Sequence, residues 1–185
     1  MSQMQKFKVR LRGVRPLLFD RYAGDNKTKL SAENKLYLEG GFLTLPALNI
    51  FSMLSAENTK SACKMFFGKQ WQKVAHGIKA SVDISPGMIP ILDEDGPIKF
   101  NGFDGSQLSV VHHVARLAKG IPNAKERPKL ELPWAVEFSL SYFKNSDCSL
   151  SNLRQAIEDG GSLGLGTFRP FFGTYEVESW EEIAA

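Results

Sequence analysis

The chain has 185 residues, 43% hydrophobic and 23% charged, with a formal net charge of +3. This mix is that of a globular domain with one sizeable core, and it excludes a low-complexity or collagenous chain. No apolar run reaches the roughly 18–20 residues needed to span a bilayer, and no apolar core of a secretion signal follows the basic start MSQMQKFKVRLRG, so a cytoplasmic protein without membrane contact is expected.

Residues 6–14, KFKVRLRGV, alternate strictly, with Phe7, Val9 and Leu11 on one face and Lys6, Lys8, Arg10 and Arg12 on the other. The spacing predicts a half-buried strand with a wholly basic outer face. RPLLFDRYAGDNKTK then reads as a strand end running into a polar loop that carries Arg15, Arg21, Asp20 and Asp25. KLYLEGGFLTLP holds a Gly-Gly turn between short apolar runs, a hairpin signal. Pro46 suits the first turn of a helix with Leu48, Phe51 and Leu54 as its apolar positions. Trp71, Val74, Ala75 and Ile78 mark a second short helix, and residues 79–84 a strand closed by the turn formers of SPGMIP.

LDEDGPIKFNGFDGSQ is acidic and turn-rich, a surface insertion. SVVHHVARLAKG (109–120) reads as a strand, with a helix as the alternative, KGIPNAKERP as a polar loop and LELPWAVEFSLSYF as a long alternating strand whose Trp134, Val136, Phe138 and Leu140 share a face. Together these make a hairpin with a basic tip bearing Arg116, Lys119, Lys125, Arg127 and Lys129. Ser149 or Ser151 caps a helix with Leu150, Leu153, Ala156 and Ile157 as its apolar positions, and Gly160 and Gly161 stop it in the C′ manner. GTYEVESW closes the chain as a strand. The order predicts an α+β fold: a ferredoxin-like or RRM-like antiparallel sheet with a β-rich insertion. Residues 1–185 read as one domain, and 85–133 as the insertion with its thumb-like hairpin.

Residues 160–173, GGSLGLGTFRPFFG, hold five glycines. A dinucleotide-binding loop needs strand, G-x-G-x-x-G and helix in that order; here a helix precedes the glycines and a strand follows, so no nucleotide cofactor is expected. Gly164 and Gly166 can instead bring the main chain close to a sugar-phosphate backbone, with Arg169 as a phosphate fork. Phe168, Phe171 and Phe172 either stack on bases or fill the core, the commoner fate of aromatics. The basic segments around residues 6–35 and 116–129 offer a positive face to polyanions; ordinary solvated surface is the competing reading.

Catalytic signals are weak. His112 and His113 point to opposite faces of a strand and cannot share a metal, and H-E-x-x-H, C-x-x-C and G-x-S-x-G are missing from the sequence. Cys63 and Cys148 fit no ligand spacing and read as buried free thiols. No catalytic residue, metal site or cofactor is assigned, although Asp20 or Asp25 could hold a metal for phosphodiester cleavage.

With these residues placed, the chain resembles the RAMP superfamily of CRISPR-associated RNA-binding proteins, in particular the backbone-subunit type. The similarity rests on helix, glycine-rich loop and aromatic-flanked strand at the end of the chain. There Gly164-Leu-Gly166-Thr-Phe-Arg169-Pro-Phe-Phe-Gly173 is similar to the family's glycine- and arginine-bearing segment. GFLTLPALNIFSML (41–54) is similar to its short strand, proline, helix step, with Ala47, Leu48 and Asn49 replacing the family's glycine and serine. RPLLFDR (15–21) and GLGTFRPFFG (164–173) also look like the ends of small phage or mobile-element proteins. The resemblance implies RNA phosphates held by a basic sheet face and first loop (Arg10, Arg12, Arg15 and Arg21), a thumb hairpin and assembly along the strand. The expected function is therefore non-enzymatic binding of single-stranded RNA or DNA by a homo-oligomer or ribonucleoprotein subunit. A phage-type protein-interaction module and a metal-dependent ribonuclease are the alternatives.

Overall fold

The computed structural model describes residues 4–25, 27–116, 120 and 122–184, with the backbone alone at 115 and 116. Strand β1 (Met4–Gly13) leads to the two-residue β2 (Leu17–Leu18), a hairpin of β3 (Leu38–Glu39) and β4 (Phe42–Pro46), and helices α1 (Ala47–Ser55), α2 (Ala62–Phe66) and α3 (Trp71–Ser81). Next come β5 (Val82–Ser85), β6 (Met88–Leu92), β7 (Leu108–Arg116), β8 (Pro122–Leu130), β9 (Ala135–Phe143), α4 (Leu150–Gly160) and β10 (Tyr175–Ile183).

β1 pairs antiparallel with β10 on one side and with β9 on the other, and β9 pairs antiparallel with β5. The spatial order β10-β1-β9-β5, with α3 entering β5 and α4 entering β10, is that of a ferredoxin-like sheet. The fold is α+β, as expected. The far end of β9 turns from β5 to β6, so the sheet continues through β6, β4 and β3. β2, β8 and β7 form a separate three-stranded sheet.

Alternation places the core. Phe7, Val9 and Leu11 of β1 and Val136, Phe138, Leu140 and Tyr142 of β9 are all buried, together with Ile50, Met53, Val74, Ile78, Leu153 and Ile157 from the helices. Burial of such apolar surface is the main favourable contribution to folding, about 1.5–3 kcal/mol per large side chain. Both cysteines are buried and free, and desolvation pushes their thiols up to about 12 for Cys63 and about 11 for Cys148, which keeps them protonated and inert.

Several sequence expectations give way to the structure. Of the segment KGIPNAKERP, Lys119 and Ile121 lie outside the described residues, and residues 122–128 do not loop: Pro122–Leu130 is strand β8, paired with β7 from Leu108↔Leu130 to Arg116↔Pro122. The hairpin is thus β7–β8, and β9 belongs to the main sheet. The SPGMIP region continues into β6, because Ile89 and Ile91 alternate into the core around Pro90. Helix α1 buries Ala47, Ile50, Met53 and Leu54 and leaves Leu48 77% exposed, so its apolar stripe is rotated from the expected Leu48–Phe51–Leu54 line.

Ser149, rather than Ser151, caps α4, its hydroxyl accepting from the Asn152 amide at 3.1 Å. Gly161 beyond that helix is right-handed (φ −56°), not a left-handed C′ cap. Gly160 and Gly161 are required by proximity instead, since a Cβ at either would collide with Met53 Sδ or with the Tyr175 carbonyl.

Candidate nucleic-acid interface

β10 carries the acids of the chain's end onto the basic face of β1. Arg10 Nε donates to Glu178 at 2.6 Å and Arg12 Nη2 to Glu176 at 2.9 Å, while Lys8 Nζ lies 3.0 Å from Glu137 on β9. The expected all-basic face is thus a lattice of alternating charge. Exposed pairs of this kind contribute little to stability, yet they cancel much of the field that would attract a polyanion.

A second group of cations gathers around the loop after β2. There the loop after β2 faces the β7–β8 hairpin across an open cleft of about 1080 Å³. Its lining includes Arg21, Lys27, Lys29, Lys35 and Lys125 together with Asp20, Asp25 and Glu126. Arg21 sits over the Tyr37 ring at 5.7 Å, which fixes a charge at the mouth.

The floor of this cleft is a compact ion cluster. Asp20 Oδ2 accepts from Arg127 Nε at 2.9 Å and lies 3.8 Å from Lys125 Nζ; its Oδ1 lies 3.5 Å from Lys35 Nζ. Lys35 also donates to the Glu126 carbonyl at 2.5 Å. Arg127 and Lys35 are each only 7% exposed. Arg127 further contacts His113 Nε2 through Nη1; desolvation, then the Arg127 charge, holds the imidazole below its ordinary value against the opposing pull of Asp20. A neutral ring accepting from arginine fits this geometry. The cluster pins the hairpin to the first loop.

Both first-loop aspartates are engaged within the fold. Asp20 is shared by three cations, and Asp25 accepts from the Lys27 and Thr28 amides, both at 2.6 Å, and from Thr28 Oγ1 at 2.7 Å. These bonds hold the Asp25 carboxyl below its ordinary range. Among the described residues no group of three or more His, Cys, Asp or Glu could hold a metal ion.

The glycine loop packs against the β1–β2 connection. Gly164 (φ +84°) and Gly166 (φ +74°) adopt the left-handed backbone that favours glycine. A Cβ at Gly166 would sit 2.5 Å from the Leu18 carbonyl. The loop amides are engaged within the fold: Gly164 N donates to Gly160 O, Gly166 N to Asn49 Oδ1 at 2.9 Å and Thr167 N to Leu18 O at 3.0 Å. Close approach explains these glycines; their amides are not left facing an anion.

Arg169 folds back onto the Gly164 carbonyl at 3.3 Å, and burial lowers its guanidinium from the ordinary value. Arg15 is the outward cation of this loop. Its Nη1 donates to the Pro170 carbonyl at 3.1 Å, and its own carbonyl accepts from Trp134 Nε1 at 2.8 Å. Phe168 and Phe171 are not core residues, being 48% and 68% exposed. Phe168 holds φ +56° and stacks between His113 (5.3 Å, 28°) and Phe171 (5.6 Å, 29°).

The fold therefore brings Arg15, Arg21, Lys125 and Phe168 to the surface around the cleft and the glycine loop, buries Arg127, turns Arg169 inward, and leaves Arg10 and Arg12 on the sheet face. The Arg116 side chain and Lys119 lie outside the described residues. Lys35, Tyr37 and Trp134, which position the expected cations, carry no local signal, because each meets its partner only through tertiary contact.

No family model and no curated protein sequence matches the chain. Among solved structures it is similar to a chain of the cryo-EM structure of the Type III-B Cmr-beta bound to cognate target RNA, with TM-score 0.57 and 12% identity. The match covers 98% of this chain and 61% of that one, so this chain spans less than two thirds of its neighbour's length. No helix among the described residues is long and apolar enough to cross a membrane. At that identity, the likeness establishes a shared fold alone.

Proposed function

We propose that this protein binds single-stranded RNA, mainly through its phosphate backbone, as a ribonucleoprotein subunit or as a homo-oligomer along the strand. The observation that carries the reading is the cleft between the first loop and the β7–β8 hairpin, where Arg21, Lys27, Lys29, Lys35 and Lys125 outnumber the carboxylates. The fold it shares with a chain of an RNA-bound assembly supports the choice of RNA. Phosphate contact then runs through Arg21 and Lys125 in the cleft and through Arg15 beside the aromatic loop, while Arg10 and Arg12 are engaged by Glu178 and Glu176 on the sheet face.

Salt titration of binding to labelled single-stranded RNA tests this directly. Log affinity should fall linearly with log salt, by about 0.7 per phosphate contacted. Arg21→Gln and Lys125→Gln should each reduce the slope by roughly that amount, and Arg10→Gln should leave it nearly unchanged. Absence of binding to single strands, or binding indifferent to salt, refutes the proposal.

A further inference from the structure

The aromatic array beside the cleft is unusual in how it is held. Phe168 occupies left-handed backbone, at φ +56°, a conformation that costs a bulky residue of order 1–3 kcal/mol and persists only where its surroundings impose it. The surroundings here are specific. Gly166 and Thr167 donate to Asn49 and to the Leu18 carbonyl, and the Phe168 ring rests on His113 of the hairpin. His113 is in turn fixed by Arg127 of the buried ion cluster.

The product of this strain is an ordered stack, not a buried one. The rings His113, Phe168 and Phe171 follow one another at 5.3 and 5.6 Å with interplanar angles of 28° and 29°, and exposure rises outward to 68% at Phe171. A packing role would have hidden these rings. A flat π surface at the end of a stack, held rigid at its base, is complementary to another flat ring.

Charge beside the ring selects what that ring is attached to. Arg15 is held against the carbonyl of Pro170, the residue preceding Phe171, and its backbone is fixed by Trp134. An exposed cation adjacent to an open aromatic face fits a ligand that joins a planar base to a phosphate. We infer that Phe171 is a stacking platform for one unpaired nucleobase, with Arg15 contacting the phosphate of the same strand. The inference rests on the RNA-binding reading and adds a base-contacting site at the edge of the backbone-binding cleft. Every base offers a π face, so such a platform tolerates any sequence and reads no hydrogen-bond pattern.

The test compares labelled oligoadenylate with an abasic ribose-phosphate strand of equal length, using the wild type, Phe171→Ala, Phe171→Trp and Arg21→Gln. Phe171 is exposed, so its variants should keep the wild-type melting temperature. Phe171→Ala should weaken oligoadenylate binding about 5- to 150-fold, the range for loss of one base–aromatic stack. It should leave both the salt slope and the abasic affinity unchanged, and Phe171→Trp should restore oligoadenylate binding. Arg21→Gln should weaken both strands. If Phe171→Ala binds oligoadenylate as the wild type does, or weakens both strands equally, the stacking site is refuted while the backbone reading stands. If the wild type binds neither strand, the backbone reading itself fails.

Discussion

Asp20→Ala is the sharpest perturbation of the hairpin's attachment. The carboxylate is the common acceptor of Arg127, Lys35 and Lys125 at 2.9, 3.5 and 3.8 Å. Its removal leaves the Arg127 and Lys35 side chains, 8% and 9% exposed, facing each other without a counter-charge. Taking one partner from a buried pair costs about 3–5 kcal/mol. Two features draw the value toward the lower end: Asp20 is itself 15% exposed, and each cation keeps one other acceptor, the Glu126 carbonyl for Lys35 and the His113 ring for Arg127.

A loss of about 3 kcal/mol is therefore expected; with a urea m-value of roughly 2 kcal/mol/M for a domain of this size, the midpoint falls by about 1.5 M. Urea unfolding followed by circular dichroism reads this shift, and amide exchange along β7 and β8 shows whether the hairpin opens before the rest. Asp20→Ala combined with Arg127→Leu should cost less than the two single changes added together, because the double variant removes both members of the Asp20–Arg127 pair. A single variant within about 0.5 kcal/mol of the wild type, or strictly additive costs, would refute the pinning role.

Other outcomes follow from individual contacts. The depressed His113 pKa means that the folded state holds the neutral ring more strongly than the unfolded chain does. Its contribution is therefore complete above the ordinary value of 6.5 and is lost as pH falls from there through the lower folded value. His113→Gln should flatten that part of the stability–pH profile, measured by urea midpoints across pH. Gly166→Ala must place a Cβ 2.5 Å from the Leu18 carbonyl at φ +74°; a loss of about 2 kcal/mol or more is expected in thermal or urea unfolding. Ser149→Ala removes the α4 cap and should cost about 1 kcal/mol, read in the same way, with Ser149→Asp recovering most of it.

Much of the scaffold was legible in the sequence because its signals are local. The alternation of Phe7, Val9 and Leu11 and that of Val136, Phe138 and Leu140 report burial of one sheet face, and the periodicity of Leu153, Ala156 and Ile157 reports a helix lying on it. The prolines of β8 misled because they are turn formers in isolation, whereas here Pro122 and Pro128 sit within a strand paired along its length with β7. The glycines of 160–173 were visible as a rigid helix-to-strand connection. Their reason, the closeness of Met53, Tyr175 and Leu18, was not.

Charge is where sequence and tertiary structure part. The sequence by itself determined that β1 is amphipathic with a basic outer face, and that an arginine and three phenylalanines follow the last helix. Only the tertiary structure decided which charges cancel. Pairing β10 with β1 sets Glu176 and Glu178 on Arg12 and Arg10. Packing the hairpin on the first loop buries Arg127 against Asp20, 107 positions away. Between exposed charges Coulomb interactions are largely screened beyond about 10 Å at ordinary salt, so the field at the surface depends on neighbours that only folding supplies. The same packing turns Arg169 inward and leaves Arg15 and Phe171 facing out.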